Sequence, residues 1–122
     1  MLDYTEGHTA LDFGSTTIAA AAPIKQAMFC DVRDAVVVLT QKDDAGTAWL
    51  QVFDRRGAEL ARFEEPKGYR FYYLTSYRPQ GIAVVCIIDD ETYAANTSDW
   101  CQDWHFHVDL EAQRLRRGAP AR

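Results

Sequence analysis

Two runs of consecutive apolar residues constrain the fold more than any other feature. Ala35 to Leu39 and Ile82 to Ile88 are unbroken and rich in β-branched side chains, which is typical of strands buried on both faces. Other short apolar runs lie between turn signals at intervals of about ten residues, the pattern of an all-β chain. Trp49 to Phe53 and Glu59 to Phe63 are predicted to form a hairpin, because Gly57 between them can adopt a positive φ.

The remaining segments add strands and little helix. Tyr69 to Tyr77 is a further predicted strand, and Asp103 to Asp109 alternates polar and apolar residues, which indicates one solvent face and one core face. Only Ile18 to Ala22 and Leu110 to Arg117 have helical character, and both are too short for a stable isolated helix. We therefore expect one all-β domain over residues 1–122, an antiparallel meander with a flexible tail at residues 117–122.

The chain also aligns with itself. The run Val36 to Leu39 matches Val84 to Ile87 at an offset of 48 residues, and a Trp-bearing segment matches a second one at an offset of 55. The seven extra residues of the second copy fall between Asp89 and Asp99, and the repeats are predicted to span residues 24–66 and 69–116. The matches at offset 55 pair Trp49, Phe53, Asp54 and Leu60 with Trp104, Val108, Asp109 and Leu115.

Each copy has the order buried strand, loop, Trp-bearing strand, acidic turn and outer strand. This order resembles one blade of a β-propeller of the WD or kelch type, over roughly residues 24–116. Neither repeat has a Gly-His pair at its start or a Trp-Asp pair at a strand end, and the chain has no Gly-Gly doublet. The resemblance implies two blade-like repeats packed as a two-sheet sandwich or as a half-propeller. Trp49 and Trp104 are then expected at equivalent core positions.

Composition restricts the function. The chain has 122 residues, 48% of them hydrophobic, and its 13 basic and 18 acidic side chains give a net charge of −5. Such an acidic globular chain is a poor ligand for nucleic acid, and no apolar run is long enough for a membrane span. The acidic N-terminus lacks the pattern of a signal peptide, and three cysteines favour reduced thiols. We expect a cytoplasmic protein with no nucleic-acid or membrane partner, and the excess of Arg over Lys favours a GC-rich bacterial source.

One pair of histidines is a candidate metal site. His105 and His107 lie two residues apart on a predicted strand, so they share a face, and Glu111 follows. The spacing resembles the first metal-binding motif of the cupins, which implies His105, His107 and Glu111 as ligands. The motif has Gly where this chain has Asp99, and the second cupin motif is missing. A zinc site that includes Cys101 is a variant. The other interpretation, two polar side chains on a solvent face, predicts neither a metal nor any other cofactor.

An acidic and aromatic segment is the candidate partner site. From Asp89 to Asp103 the chain has five carboxylates and no Lys or Arg, with aromatic residues among them. Charges of this kind steer a basic partner and aromatic residues supply binding energy, whereas motifs for a serine nucleophile or a phosphate loop are absent. The predicted partner-binding residues are Asp89, Asp90, Glu91, Tyr93, Asp99, Trp100 and Asp103.

In size, acidity and meander build, the chain resembles the bacterial immunity proteins that neutralise toxins. The resemblance implies a non-catalytic inhibitor that binds a basic toxin domain through the acidic segment. Two alternatives remain at this point. One is a metal-dependent enzyme or metal-binding module that uses His105 and His107. The other is a structural repeat protein that oligomerises through its sheets.

Overall fold

A computed structural model of the protein describes residues 2–77, 81–89 and 103–121. These residues form eleven strands and no helix, so they contain no helix that could cross a membrane. The predicted all-β class is confirmed. The strands are β1 (Leu2–Tyr4), β2 (Ala10–Phe13), β3 (Thr16–Ala19), β4 (Ile24–Cys30), β5 (Ala35–Thr40), β6 (Leu50–Asp54), β7 (Glu59–Phe63), β8 (Tyr69–Tyr77), β9 (Gly81–Ile88), β10 (Asp103–Asp109) and β11 (Arg114–Pro120).

The strands form three antiparallel meanders. We call them the N-terminal sheet (β1-β2-β3), the middle sheet (β4-β5-β6-β7) and the C-terminal sheet (β8-β9-β10-β11). Within each sheet, every strand pairs with its neighbour in sequence. In the hairpin of β6 and β7, Gly57 has a φ of 87°, as the sequence predicts. The middle and C-terminal sheets have the same strand order, which is the order expected for two blade-like units.

The middle sheet is the central layer. All six residues of β5 are buried, because the strand packs on a neighbouring sheet with each face. Val36 and Val38 contact the N-terminal sheet, whereas Val37 and Leu39 contact the C-terminal sheet. The sequence predicted from the continuous apolar run of β5 that the strand is buried on both faces. The structure accounts for this burial, because each face of β5 packs on another sheet.

The N-terminal sheet is the largest part of the fold that sequence analysis missed. Leu11 and Phe13 of β2 and Ile18 of β3 pack on the middle sheet, so Ile18 belongs to a strand and not to a helix. The strands are only three or four residues long, and β2 shows a single polar–apolar alternation. This sheet adds a third layer to the predicted pair.

The C-terminal segment also differs from expectation. Residues 110 to 113 form a turn, and Arg114 to Pro120 form β11, which pairs with β10. The predicted helical character of residues 110–117 and the flexible tail from residue 117 are therefore wrong for the described residues. The physical reason is that Leu115 packs against the core opposite Val108. Asp109 starts the turn, since its carboxylate accepts from the Ala112 amide at 3.0 Å.

The two matched tryptophans differ in burial. Trp104 is 8% exposed and belongs to the core between the middle and C-terminal sheets, as expected. Trp49 is half-buried and lies just before β6. Its indole N–H donates to the Asp43 carboxylate in the preceding loop at 3.1 Å. The expectation of two core tryptophans is therefore wrong for Trp49. Each ring nevertheless has an arginine over its face, Arg62 at 5.3 Å and Arg117 at 4.1 Å, and these arginines are also 55 residues apart.

A glutamine joins two sheet edges. The Gln26 side chain on β4 accepts from the Leu74 amide at 2.7 Å and donates to the Leu74 carbonyl at 3.1 Å. The Glu65 carboxylate accepts from the Phe71 amide of the same strand at 2.7 Å. Side chains thus satisfy backbone groups of edge strand β8, and they block the pairing of another strand there.

Candidate functional site on the outer face of the C-terminal sheet

The C-terminal sheet has one face on the core and one face turned away from the middle sheet. Leu74, Val84 and Phe106 mark the core face, so strand alternation and the pairing register assign the opposite face. We call it the outer face. It consists of Arg70, Tyr73, Thr75, Tyr77, Ala83, Val85, Ile87, Asp103, His105, His107, Asp109, Arg114 and Arg116.

Two neighbouring tyrosines protrude where β8 is irregular. The register of β8 against β9 shifts between Phe71 and Tyr73, which leaves Tyr72 as an extra residue. Tyr72 and Tyr73 are 46% and 41% exposed, and their rings contact edge-to-face with centroids 4.9 Å apart. The Lys25 ammonium lies 5.8 Å from the Tyr72 centroid. The bulge thus places two large aromatic groups side by side in solvent.

The tyrosine pair lies near the base of the acidic and aromatic segment. Arg70, Ile87 and Asp103 form one row across β8, β9 and β10, and Tyr73 is in the next row of the outer face. Asp89 follows β9, and its amide donates to the Gly68 carbonyl at 2.8 Å. Asp89 and Asp103 therefore mark the two ends of the β9–β10 connection. The other predicted partner-binding residues, Asp90, Glu91, Tyr93, Asp99 and Trp100, lie outside the described residues.

The far end of the outer face carries a cluster that we call the aromatic roof: Tyr77, His105 and His107. The Tyr77 centroid lies 4.6 Å from the His105 ring and 4.8 Å from the His107 ring. These residues stand on β8 and β10, which are two strand spacings or about 10 Å apart. Their rings meet because they lean across β9 over Ala83, which is fully buried.

His105 is held by the neighbouring strand. Its Nδ1 lies 3.1 Å from the Ala119 carbonyl oxygen, and since a carbonyl only accepts, Nδ1 carries the hydrogen. The bond forms where the register of β10 against β11 shifts between Trp104 and Phe106. The extra residue on β11 brings the Ala119 carbonyl within reach of the ring.

His107 is packed against Gly118. A Cβ atom at Gly118 would lie 2.5 Å from His107 Nε2, so only glycine leaves room for the ring. His107 Nδ1 is buried and has no hydrogen-bond partner among the described residues. Burial lowers the pKa of His107, and the nearby His105 lowers it further. The polar–apolar alternation of β10 is as predicted, but both histidines are half-buried rather than fully on a solvent face.

The alternative metal site is not assembled in the part of the chain that the structure describes. No group of three or more His, Cys, Asp or Glu side chains there is arranged to hold a metal ion. Glu111 lies in the turn beyond the end of β10, so it does not join His105 and His107 in such a group. Cys101 of the zinc variant lies outside the described residues.

The alignment of the chain with itself pairs polar residues of the outer face with core residues of the middle sheet. At an offset of 55, His105 and His107 correspond to Leu50 and Val52, which belong to the core between the middle and C-terminal sheets. In the same way Gly118 corresponds to core residue Phe63. The histidines thus stand where the middle sheet has apolar contacts.

Sequence analysis identified the histidines but missed Tyr72, Tyr73 and Tyr77. Four tyrosines in one strand with a single core face were the available signal, since at least one of the adjacent Tyr72 and Tyr73 must face outward. Comparison with known proteins found no matching family model, no similar curated protein and no similar solved structure.

Proposed function

We propose that the protein is a non-catalytic binding protein, similar in role to bacterial immunity proteins, that holds a protein partner with a basic surface. The proposed site lies at the end of the C-terminal sheet where the β9–β10 connection leaves it. It comprises the acidic and aromatic residues of that connection together with Tyr72 and Tyr73.

The exposed tyrosine pair carries this proposal. Tyrosine is enriched among the residues that dominate binding energies, and two adjacent rings at 46% and 41% exposure offer a large apolar area for a partner to cover. The edge-to-face contact between Tyr72 and Tyr73 orients both rings before any partner arrives. Pre-oriented side chains lose less conformational entropy on binding, which favours affinity.

Charge supports a basic partner. The chain has a net charge of −5, and Asp89 and Asp103 stand at the base of a connection with three further carboxylates and no Lys or Arg. Opposite charge accelerates the encounter of two proteins, most strongly at low salt. Toxin domains that act on nucleic acid are a natural class of basic partner for such a surface.

The tyrosines are tested by capture from a lysate of the native host on the immobilised protein, followed by binding kinetics with the captured partner. We expect the double variant Tyr72→Ser, Tyr73→Ser to weaken binding about 30-fold or more, equivalent to about 2 kcal/mol. Leu60→Ser, which alters another exposed apolar side chain, on β7, is the matched control and should bind like the parent. Equal loss in the control variant would show that the effect is not local to the site.

The acidic connection is tested through rate constants. Neutralisation of Asp89, Asp90 and Glu91 to their amides should slow association and flatten its dependence on salt, whereas Trp100→Ala should raise the dissociation rate about 30-fold. The control with the same charge change carries Asp3→Asn, Asp44→Asn and Glu64→Gln, all at exposed positions. If all three proteins fold normally and bind with the parent's rates, the partner site lies elsewhere.

A further inference from the structure

We infer that the aromatic roof of Tyr77, His105 and His107 is a pH-sensitive device that opens when His107 gains a proton. In the closed arrangement the His107 ring lies between the Tyr77 ring, 4.8 Å away, and the backbone of Gly118. The ring is in close contact with Gly118, and its Nδ1 has no acceptor among the described residues. The transition belongs to the unbound protein, so its test needs no partner.

The hydrogen-bonding state of His107 is the first argument. A neutral imidazole has one nitrogen without hydrogen, whereas an imidazolium has an N–H at both nitrogens. His107 Nδ1 is buried without a hydrogen-bond partner among the described residues, so a proton there would lack an acceptor. A buried N–H without an acceptor is strongly unfavourable, and rotation of the ring into water relieves it.

The charges around His107 are the second argument. Arg116 on β11 is its direct cross-strand neighbour, and the Asp109 carboxylate is already bonded to Arg116 at 2.6 Å. β9 contributes only the apolar Ala83 opposite His107. Additional positive charge at the ring is therefore poorly compensated. The titratable and charged groups that face His107 or line the groove beside it are Tyr77, His105, Arg33, Asp109, Glu111, Arg116 and Arg117.

His105 does not serve as the sensor. Its Nδ1 hydrogen has an acceptor in the Ala119 carbonyl, so the ring is anchored to β11. His107 Nδ1 has no corresponding bond in the described structure. The two neighbouring histidines thus differ in how their rings are held.

Opening changes the outer face and the stability. Ala83 and Val85 are fully buried on this face, so departure of the rings uncovers apolar surface. The folded state binds a proton at His107 less readily than the unfolded chain, because burial lowers the pKa from its ordinary value of 6.5. The contribution of His107 to the free energy of unfolding is therefore highest above that pH. This contribution falls as the pH drops through 6.5 and levels off below the lowered pKa of His107.

Proton NMR of the full chain between about pH 8 and pH 5 tests the inference. We expect His107 to titrate below 6.5 and the Tyr77 ring resonances to shift with the same midpoint. His105→Gln should retain this transition of Tyr77, and His107→Phe should abolish it by filling the site with an uncharged ring. Tyr77 resonances that stay constant while His107 titrates would overturn the inference.

A second variant covers the case in which His107→Phe fails to fold. Gly118→Ala puts a Cβ atom where the His107 ring lies, so the roof should be open throughout the pH range. The Tyr77 resonances of this variant should match those of the acid form of the parent at every pH. A Gly118→Ala protein with the parent's pH-dependent Tyr77 shifts would also contradict the inference.

Discussion

The two matched tryptophans differ in burial. Burial, and not residue type alone, determines how much a side chain contributes to the free energy of unfolding. Trp104 fills the core between two sheets, whereas Trp49 at the matched position is half-buried beside a loop. The sequence predicts both as core residues, because their spacing from the acidic turn is identical. It does not show that β6 begins one residue after Trp49, or that Asp43 would bind its indole.

Alanine substitution at the two tryptophans tests this difference. Trp104→Ala should lower the free energy of unfolding by about 3–5 kcal/mol, through lost transfer energy and the cavity that remains. Trp49→Ala should cost about half as much, because less apolar area is removed from the interior. Denaturant unfolding of both variants and the parent measures the two values. Equal losses would mean that the rings are energetically equivalent despite their different burial.

The thiols provide a second residue-scale prediction. Cys30 and Cys86 are 4% and 0% exposed, and burial raises the pKa of Cys86, with a smaller contribution from the Glu65 charge. A thiol buried in apolar surroundings is out of reach of a reagent in solvent and is unreactive. In a Cys101→Ser variant, a thiol reagent at about pH 8 should therefore label neither residue until denaturant is added. Rapid labelling of one equivalent in the native protein would contradict the burial of these two cysteines.

At the scale of strands, register shifts on β4 and β8 lie beside the contact between the two sheets and beside the exposed tyrosines. The register shifts near Gln26 and near Tyr72, so each edge strand departs from regular pairing. The sequence predicts the bounds of β8 correctly, since turn signals flank it. The bulges could not be predicted, because they depend on how two strands from separate sheets meet.

The contact of Gln26 with the Leu74 backbone should contribute measurably to stability. Gln26→Leu keeps the side-chain volume but leaves the Leu74 amide and carbonyl without their partner, at a cost of about 1–3 kcal/mol. Gln41→Leu, at an exposed position, is the matched control and should stay within about 0.5 kcal/mol of the parent. Thermal and denaturant unfolding measure both. Comparable stability of the two variants would argue that solvent replaces the Gln26 bonds without loss.

At the scale of the whole molecule, the sequence predicted the class and six of the eleven described strands, because β-branched runs between turns leave few alternatives. It missed the N-terminal sheet, since three or four residues per strand give too few alternations to establish a period. It identified His105 and His107 from their spacing. The roof that they form with Tyr77 depends on cross-strand contacts, which a single sequence does not reveal.

The central position of the middle sheet predicts that the three sheets unfold together. Ile18 is 1% exposed in the core between the N-terminal and middle sheets. Ile18→Ala should lower the free energy of unfolding by about 2–5 kcal/mol, and Trp fluorescence and far-UV circular dichroism should still report one coincident transition. Two separated transitions would show that the N-terminal sheet unfolds independently of the other two.

The polar side chains and the glycine on the outer face also limit where a further sheet could pack on this fold. Among the three sheets of the described residues, the middle sheet alone has a core cluster on each of its two faces. A duplicated copy of residues 24–66 would therefore find matching surfaces if it were inserted before β8. The same copy appended after β11 would meet His105, His107 and Arg116 in place of a core. A gene duplication that lengthened this protein by one sheet would thus have to be internal.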